Sequence, residues 1–181
     1  LASSIAPAAV ADPSNQLVSY VYNNYLTNAF IQEGGEDSED LNLFFTNTTH
    51  NLDMSSVYFM TGSGTASASE LVITGLDPYM EVVVVGDTTV GKYTGAWVFP
   101  DTEDPPRHNY AMVPIVLKYA NSQGITEFKN GLYPDYPVND RLLGAEPFGS
   151  LSDPIMAKTL EVMTGVSPIA GKKKALEEPS F

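Results

Sequence analysis

The sequence predicts an α/β fold with a partly parallel sheet. A β-rich run at 55–62 leads through small residues into a helix-like stretch that Asp77-Pro78 ends. The continuous apolar run "EVVVVGD" follows at 81–87, as expected for a strand that is buried on both faces. Strand, helix and buried strand in this order make a βαβ unit, whose two strands lie parallel.

The elements before this unit are less regular. The first 13 residues read as the tail of a helix, so we expect a longer precursor in which any targeting signal lies upstream. Residues 16–30 mix tyrosine, valine and leucine, and we expect a helix there that gives way to a strand near Ala29-Phe30-Ile31. The acidic segment 32–42 predicts a solvated hairpin tip, followed by a short returning strand at 43–47. Its acidic residues lack the alternate spacing of a calcium loop.

Three further elements follow the βαβ unit. The pattern predicts a strand at 95–99 and another strand at 111–124 that ends in a turn. An amphipathic helix is expected at 153–165. Asp153 suits its N-cap, Pro154 its first turn, and Gly165 its end.

Composition excludes several classes of function. The chain has 181 residues, which fits one domain, and no apolar run reaches the roughly 18 residues of a membrane span. Its net charge of −13 disfavours nucleic acid and anionic membranes, because both attract positive surfaces. Cysteine is absent, which excludes thiol nucleophiles and thiolate metal sites. With His50 and His108 as the histidines, we expect no metal and no cofactor.

The segment from Gly86 to Lys92 matches the G-x-x-x-x-G-K core of a phosphate-binding loop. Two features argue against that interpretation. The next residue is Tyr93, where a phosphate loop has the serine or threonine that binds magnesium. A strand pattern then follows, where a phosphate loop needs a helix N-terminus.

A serine offers Lys92 a different role. Ser67, 25 residues upstream, stands where a turn after a strand enters a helix. A lysine acts as the base for such a hydroxyl if burial lowers the lysine pKa toward neutrality. The valine strand before Lys92 and Trp97 after it would supply the apolar surroundings that such burial needs. The amide of Ala68, directly after the serine, suits a developing oxyanion at a helix N-terminus.

Plainer interpretations of these residues stay open. Ser67 and Glu70 form the pattern of a capping box, which needs no chemistry. Ser69 is a competing nucleophile in the same stretch. Lys92 taken alone would be a loop lysine that faces solvent.

The two motifs together resemble the C-terminal processing, or tail-specific, serine peptidases. "GTASASE" at 64–70 and "GDTTVGK" at 86–92 resemble the two active-site motifs of that family at their characteristic spacing. The likeness extends over 111–140 and the last helix, and it is similar to variants from Bacteroides-like bacteria. It implies a ClpP/crotonase-like α/β core with a β-hairpin insertion, Ser67 as nucleophile, Lys92 as general base and the Ala68 amide as one oxyanion donor. The implied substrate is unfolded or C-terminally exposed polypeptide.

The chain departs from the family pattern in two places. Many members carry a glutamine four residues after the lysine, where this chain has Ala96; Thr88 or Thr89 is the substitute orienter we consider. The Gly-rich stretch with the second oxyanion donor, and any PDZ-like domain, do not occur in the chain. Residues 1–181 are therefore expected to be the C-terminal portion of a single peptidase domain, from a bacterial periplasmic or cell-envelope protein with any lipid anchor in sequence upstream. The activity of this part alone and its oligomeric state stay open, and a non-catalytic peptide- or ligand-binding module is the alternative.

Overall fold

The computed structural model describes residues 1–126, 128–139, 147 and 149–168. Its described strands form two larger sheets and one hairpin. In chain order, the elements are α1 (Ala2–Ile5), β1 (Gln16–Val21), α2 (Asn24–Gly34), β2 (Asn42–Phe44), β3 (Ser56–Thr61), α3 (Ala68–Leu76), β4 (Glu81–Gly86), β5 (Thr94–Ala96), β6 (Phe99–Pro100), β7 (Ala111–Met112), β8 (Ile115–Asn121), β9 (Tyr136–Pro137) and α4 (Pro154–Thr164).

The predicted βαβ unit is confirmed. β3 and β4 pair in parallel in register from Ser56 with Glu81 to Thr61 with Gly86, and α3 connects them. β9 adds a short parallel pairing on the other side of β4, which gives the order β3-β4-β9. The ends of β3 and β4 therefore bring the segments that follow them to one edge of this sheet.

The second sheet is antiparallel, with the order β2-β1-β8-β5. Helix α3 packs on β1 and β8, so it joins the parallel unit to this sheet. The approach is close at Gly75, where an added Cβ would lie 2.9 Å from Leu17 Cδ1. Leu17, Val18, Phe45 and Leu76 form the buried cluster between them.

The prediction for residues 16–30 is wrong in its order. The strand β1 comes first and the helix α2 follows, with Asn23 as its N-cap accepting a hydrogen bond from the Leu26 amide. β1 is a strand because its backbone pairs with β8 and β2, which lie far away in sequence. The acidic segment is consequently no hairpin tip: it connects the end of α2 to β2, although it is largely exposed as expected.

The later elements agree with the sequence more closely. The strand expected at 95–99 is interrupted and forms β5 and β6, and β6 pairs with β7 in an exposed hairpin. Asp153 caps α4 by accepting from the amides of Ile155 and Met156, and Gly165 ends it with φ of 72°. Within the described ranges, no helix has the length and apolar character to cross a membrane. The same residues contain no cluster of histidine, aspartate or glutamate suited to a metal ion.

Candidate active site

The turn after β3 holds Ser67 in an uncommon backbone conformation. Ser67 precedes α3 with φ of 59° and ψ of −115°, a region that costs a residue with a Cβ about 1–3 kcal/mol. The turn before it is closed by the Thr65 amide bonding the Gly62 carbonyl at 2.9 Å. The Ser67 side chain is half-buried, at the point where the strand turns into the helix.

The loop after β4 is held against the β3 side of the sheet. The Asp87 amide donates to the Thr61 carbonyl at 2.9 Å, and the Val90 amide donates to the Thr65 carbonyl at 2.9 Å. Gly86 has φ of 132°, and a Cβ there would lie 2.0 Å from the Thr61 carbonyl oxygen. Only glycine fits where the backbones of residues 86 and 61 come this close, so the first glycine of the motif is required by their packing.

One buried carboxylate joins the serine turn to the lysine loop. Oε2 of Glu70 accepts the amides of Ser67 and Lys92, each at 2.8 Å. Oε1 accepts the Thr89 hydroxyl at 2.5 Å and the Gly91 amide at 2.6 Å. Glu70 is fully buried. The bond to Ser67 is the one expected for a capping box, while the three bonds to the loop come from residues 19 to 22 positions away.

Two opposing effects act on the Glu70 carboxyl. Burial raises its pKa, whereas the hydrogen bonds from Thr89, Gly91, Ser67 and Lys92 lower it. The net result is a pKa below the ordinary glutamate value. Glu70 is therefore a carboxylate at neutral pH, with four donors directed at it.

The exposure of Lys92 matches the plainer of the two interpretations that the sequence left open. Lys92 is exposed, and among the described residues no hydrogen bond joins its Nζ to Ser67 Oγ. The Trp97 ring packs with Tyr22, Phe30 and Phe99 at centroid distances of 5.8, 6.4 and 6.2 Å. The fold thus fixes the Lys92 backbone, while the residue as a whole is exposed.

The other candidate residues lie close by. Ala68 is exposed and provides the first helical N–H of α3, a position without an intrahelical partner. Ser69 is also exposed, one residue further into the helix. Of the two threonines considered as orienters of Lys92, Thr89 is buried and donates to Glu70, so it acts on the backbone of the loop. Its hydroxyl also accepts the Leu132 amide at 2.8 Å.

The arrangement around Lys92 differs from a phosphate loop, as the sequence indicated. Strand β5 begins at Thr94, where a phosphate loop needs the N-terminus of a helix. The loop amides of Gly91 and Lys92 are occupied by a carboxylate, which would repel a phosphate. His108 lies in the exposed loop between β6 and β7.

One residue that supports strand β4 could not be identified from the sequence. The carboxylate of Asp135 accepts the Val84 amide at 2.8 Å, and the next residue, Tyr136, pairs with Val85 at the start of β9. The signal in the sequence was an aspartate beside a proline after a glycine-containing loop. That signal does not identify a partner in a strand 51 residues away.

Comparison with known proteins identifies a family and a similar fold. The model described as peptidase family S41 matches residues 8–138. No curated protein matches the chain. A solved structure described as a putative S41 protease from Bacteroides fragilis NCTC 9343 superposes with a TM-score of 0.69 at 25% identity, over 91% of this chain. This chain spans 40% of the length of that protein. A photosystem II D1 C-terminal processing protease matches with 18% identity and a TM-score of 0.45, over 72% of this chain and 29% of its own.

Proposed function

The chain belongs to peptidase family S41, and we propose that it carries the nucleophile and the general base of a serine endopeptidase. The observation that carries the proposal is the shared carboxylate oxygen of Glu70, which binds the amides of both Ser67 and Lys92. The two motifs that the sequence singles out are thereby adjacent in space. Unfolded or C-terminally exposed polypeptide is the proposed substrate.

The proposed reaction uses three groups of this chain. Ser67 Oγ attacks the peptide carbonyl carbon while Lys92 takes the hydroxyl proton. The Ala68 amide donates to the oxyanion that forms on the carbonyl oxygen. Lys92 then returns the proton to the leaving amine, and water hydrolyses the acyl-enzyme. For Lys92 to act in this way, its exposed amine must turn toward Ser67 and lose its proton.

We further propose that residues 1–181 are the C-terminal portion of one peptidase domain. Support comes from the 40% of the Bacteroides protein that the chain spans. The remaining part of the domain would supply a second oxyanion donor and cover Lys92. Lys92 is exposed in this chain, as expected if the remaining part of the domain covers it.

The same exposure supports a second candidate function, a non-catalytic module that binds peptides or other ligands. An exposed lysine without a hydrogen bond to Ser67 is not a general base as it stands. The two candidates differ in one property: a peptidase forms a covalent bond through Ser67 and a binding module does not.

The decisive experiment compares three variants of the intact protein on an unfolded polypeptide. We expect Ser67→Ala and Lys92→Ala each to abolish cleavage, and Ser69→Ala, the matched control two residues away, to retain it. Turnover that persists in Ser67→Ala would refute the proposal. Failure of the intact wild-type protein to cleave or to react with a fluorophosphonate would favour the binding module.

We also propose a periplasmic or cell-envelope location. The proposal rests on the likeness to the Bacteroides fragilis protein and on the sequence resemblance to envelope peptidases. Fractionation of cells that express the intact protein tests it. Recovery in the cytoplasmic fraction would contradict it.

A further inference from the structure

We propose that Glu70 is a positioning residue for the proposed reaction, and that its carboxylate sets the distance between the backbones of the nucleophile and the base. The inference rests on the proposed function and adds to it a third residue, which touches neither substrate nor reacting atoms. It accounts for the position of the Lys92 backbone and not for the orientation of the Lys92 amine.

The hydrogen-bond lengths limit the distance between the backbones of Ser67 and Lys92. One oxygen, Oε2 of Glu70, lies 2.8 Å from the amide nitrogens of both Ser67 and Lys92. Those two nitrogens are therefore at most 5.6 Å apart, twice 2.8 Å. Because Glu70 lies in the first turn of α3, the carboxylate is attached to the same helix that begins at Ser67. The lysine loop is thus hydrogen-bonded to the helix that presents the nucleophile.

Only a carboxylate satisfies all four donors. An ionised glutamate accepts at both oxygens and donates nothing, whereas a glutamine carries two N–H donors on one of its terminal atoms. In a Glu70→Gln protein, one pair of donors would face that NH₂ group, either Ser67 and Lys92 or Thr89 and Gly91. The side chain is fully buried, so water cannot replace the lost acceptor without a change in the loop.

The hydrogen bond from the Ser67 amide to Glu70 also stabilises the backbone conformation of Ser67. A residue with positive φ keeps that conformation only where its surroundings hold it. The amide of Ser67 is held by Glu70 at 2.8 Å, directly at the residue with φ of 59°. Loss of the acceptor therefore releases the turn and the loop together, and the hydroxyl and the amine lose their relative placement.

The test is Glu70→Gln in the intact protein, with Glu81→Gln as the matched control. Glu81 is exposed at the start of β4, so the control makes the same chemical change outside the junction. We expect kcat to fall roughly 100-fold in Glu70→Gln with KM within a small factor of wild type, because misplacement by about 1 Å costs about that much. The second-order rate of fluorophosphonate labelling should fall in parallel. A folded Glu70→Gln protein with wild-type kcat and labelling rate would overturn the inference.

A second pair of variants keeps the test valid if Glu70→Gln does not fold. Thr89→Val keeps the volume and removes one donor to Glu70, while Thr89→Ser keeps the hydroxyl. We expect kcat to fall about tenfold in Thr89→Val, the worth of one hydrogen bond to a charged group, and Thr89→Ser to restore most of it. Equal kcat in both variants would contradict the positioning role. If Ser67→Ala remained active, the proposed function itself would fail, which is a separate result.

Discussion

The junction around Glu70 and the hairpin of β6 and β7 lie close together in sequence, yet different interactions fix them. In the junction, backbone amides of one loop bind a buried carboxylate and the carbonyls of the neighbouring turn. The hairpin has two strands of two residues and exposes large apolar side chains: Tyr110 is 81%, Met112 71% and Val98 64% exposed. Its ion pair between Arg107 and Glu103 is also exposed.

The difference indicates where this fold needs a particular residue. Substitutions in the junction change the course of the backbone, because buried donors and close backbone contacts leave no room for adjustment. Substitutions in the hairpin change a surface. The predictions below use this contrast, from the largest expected effect to the smallest.

The largest effect is expected from Gly86→Ala. The new Cβ would lie 2.0 Å from the Thr61 carbonyl oxygen, at φ of 132°. We expect the free energy of unfolding to fall by about 4 kcal/mol or more. Gly124→Ala is the control: its φ is 78° but nothing lies within 4 Å of the added Cβ, so a loss of about 1 kcal/mol is expected. Urea unfolding monitored by Trp97 fluorescence measures both losses. Equal losses would contradict the close contact between the Gly86 and Thr61 backbones.

A smaller loss is expected from Asp135→Ala. The variant leaves the Val84 amide without its acceptor beside the short strand β9, which costs about 1–3 kcal/mol. Asp37→Ala, in the exposed acidic segment, makes the same change and should cost less than about 0.5 kcal/mol. The same urea titration measures both. Matching losses would show that the carboxylate of Asp135 does not support β4.

A pH-dependent effect is expected from Glu70. Its pKa is lower in the folded chain than the ordinary value of 4.5, so the folded state binds this proton more weakly than the unfolded state. Its contribution to stability is therefore complete above that value and is lost as pH falls through the lowered folded pKa. The free energy of unfolding of Glu70→Gln should accordingly fall less than that of wild type between neutral pH and acid pH. Parallel pH profiles would contradict the lowered pKa.

The smallest effect is expected in the hairpin. Met112→Gln replaces an exposed apolar side chain by a polar one of similar length, and we expect a change within about 0.5 kcal/mol. Thermal unfolding of the variant beside wild type measures it. A loss of several kcal/mol would mean that the hairpin contributes to the folded core as the junction does.

The sequence predicted the parallel unit and the last helix because their signals are local. An apolar run between a proline and a glycine marks β4, and Asp153, Pro154 and Gly165 mark both ends of α4. Residues 16–30 carried no such signal, because tyrosine and valine fit either element in isolation. Their pairing with β8, about 100 residues later, decided the outcome.

The candidate site was predicted in part for the same reason. The spacing of Ser67 and Lys92 and the capping pattern of Glu70 are visible in the sequence. The three donors from the lysine loop are not, because they depend on how the ends of two strands meet. The sequence left the exposure of Lys92 open, since an apolar run before a residue does not determine what covers its side chain.

The central claim is that Ser67 is a nucleophile. The most direct measurement is mass spectrometry of the intact protein after reaction with a fluorophosphonate, with the adduct located by peptide mapping. The account predicts one adduct, on the Ser67 side chain, formed at a greatly reduced rate in Lys92→Ala. An adduct on Ser69, or an unlabelled Ser67 in a protein that cleaves polypeptide, would contradict it.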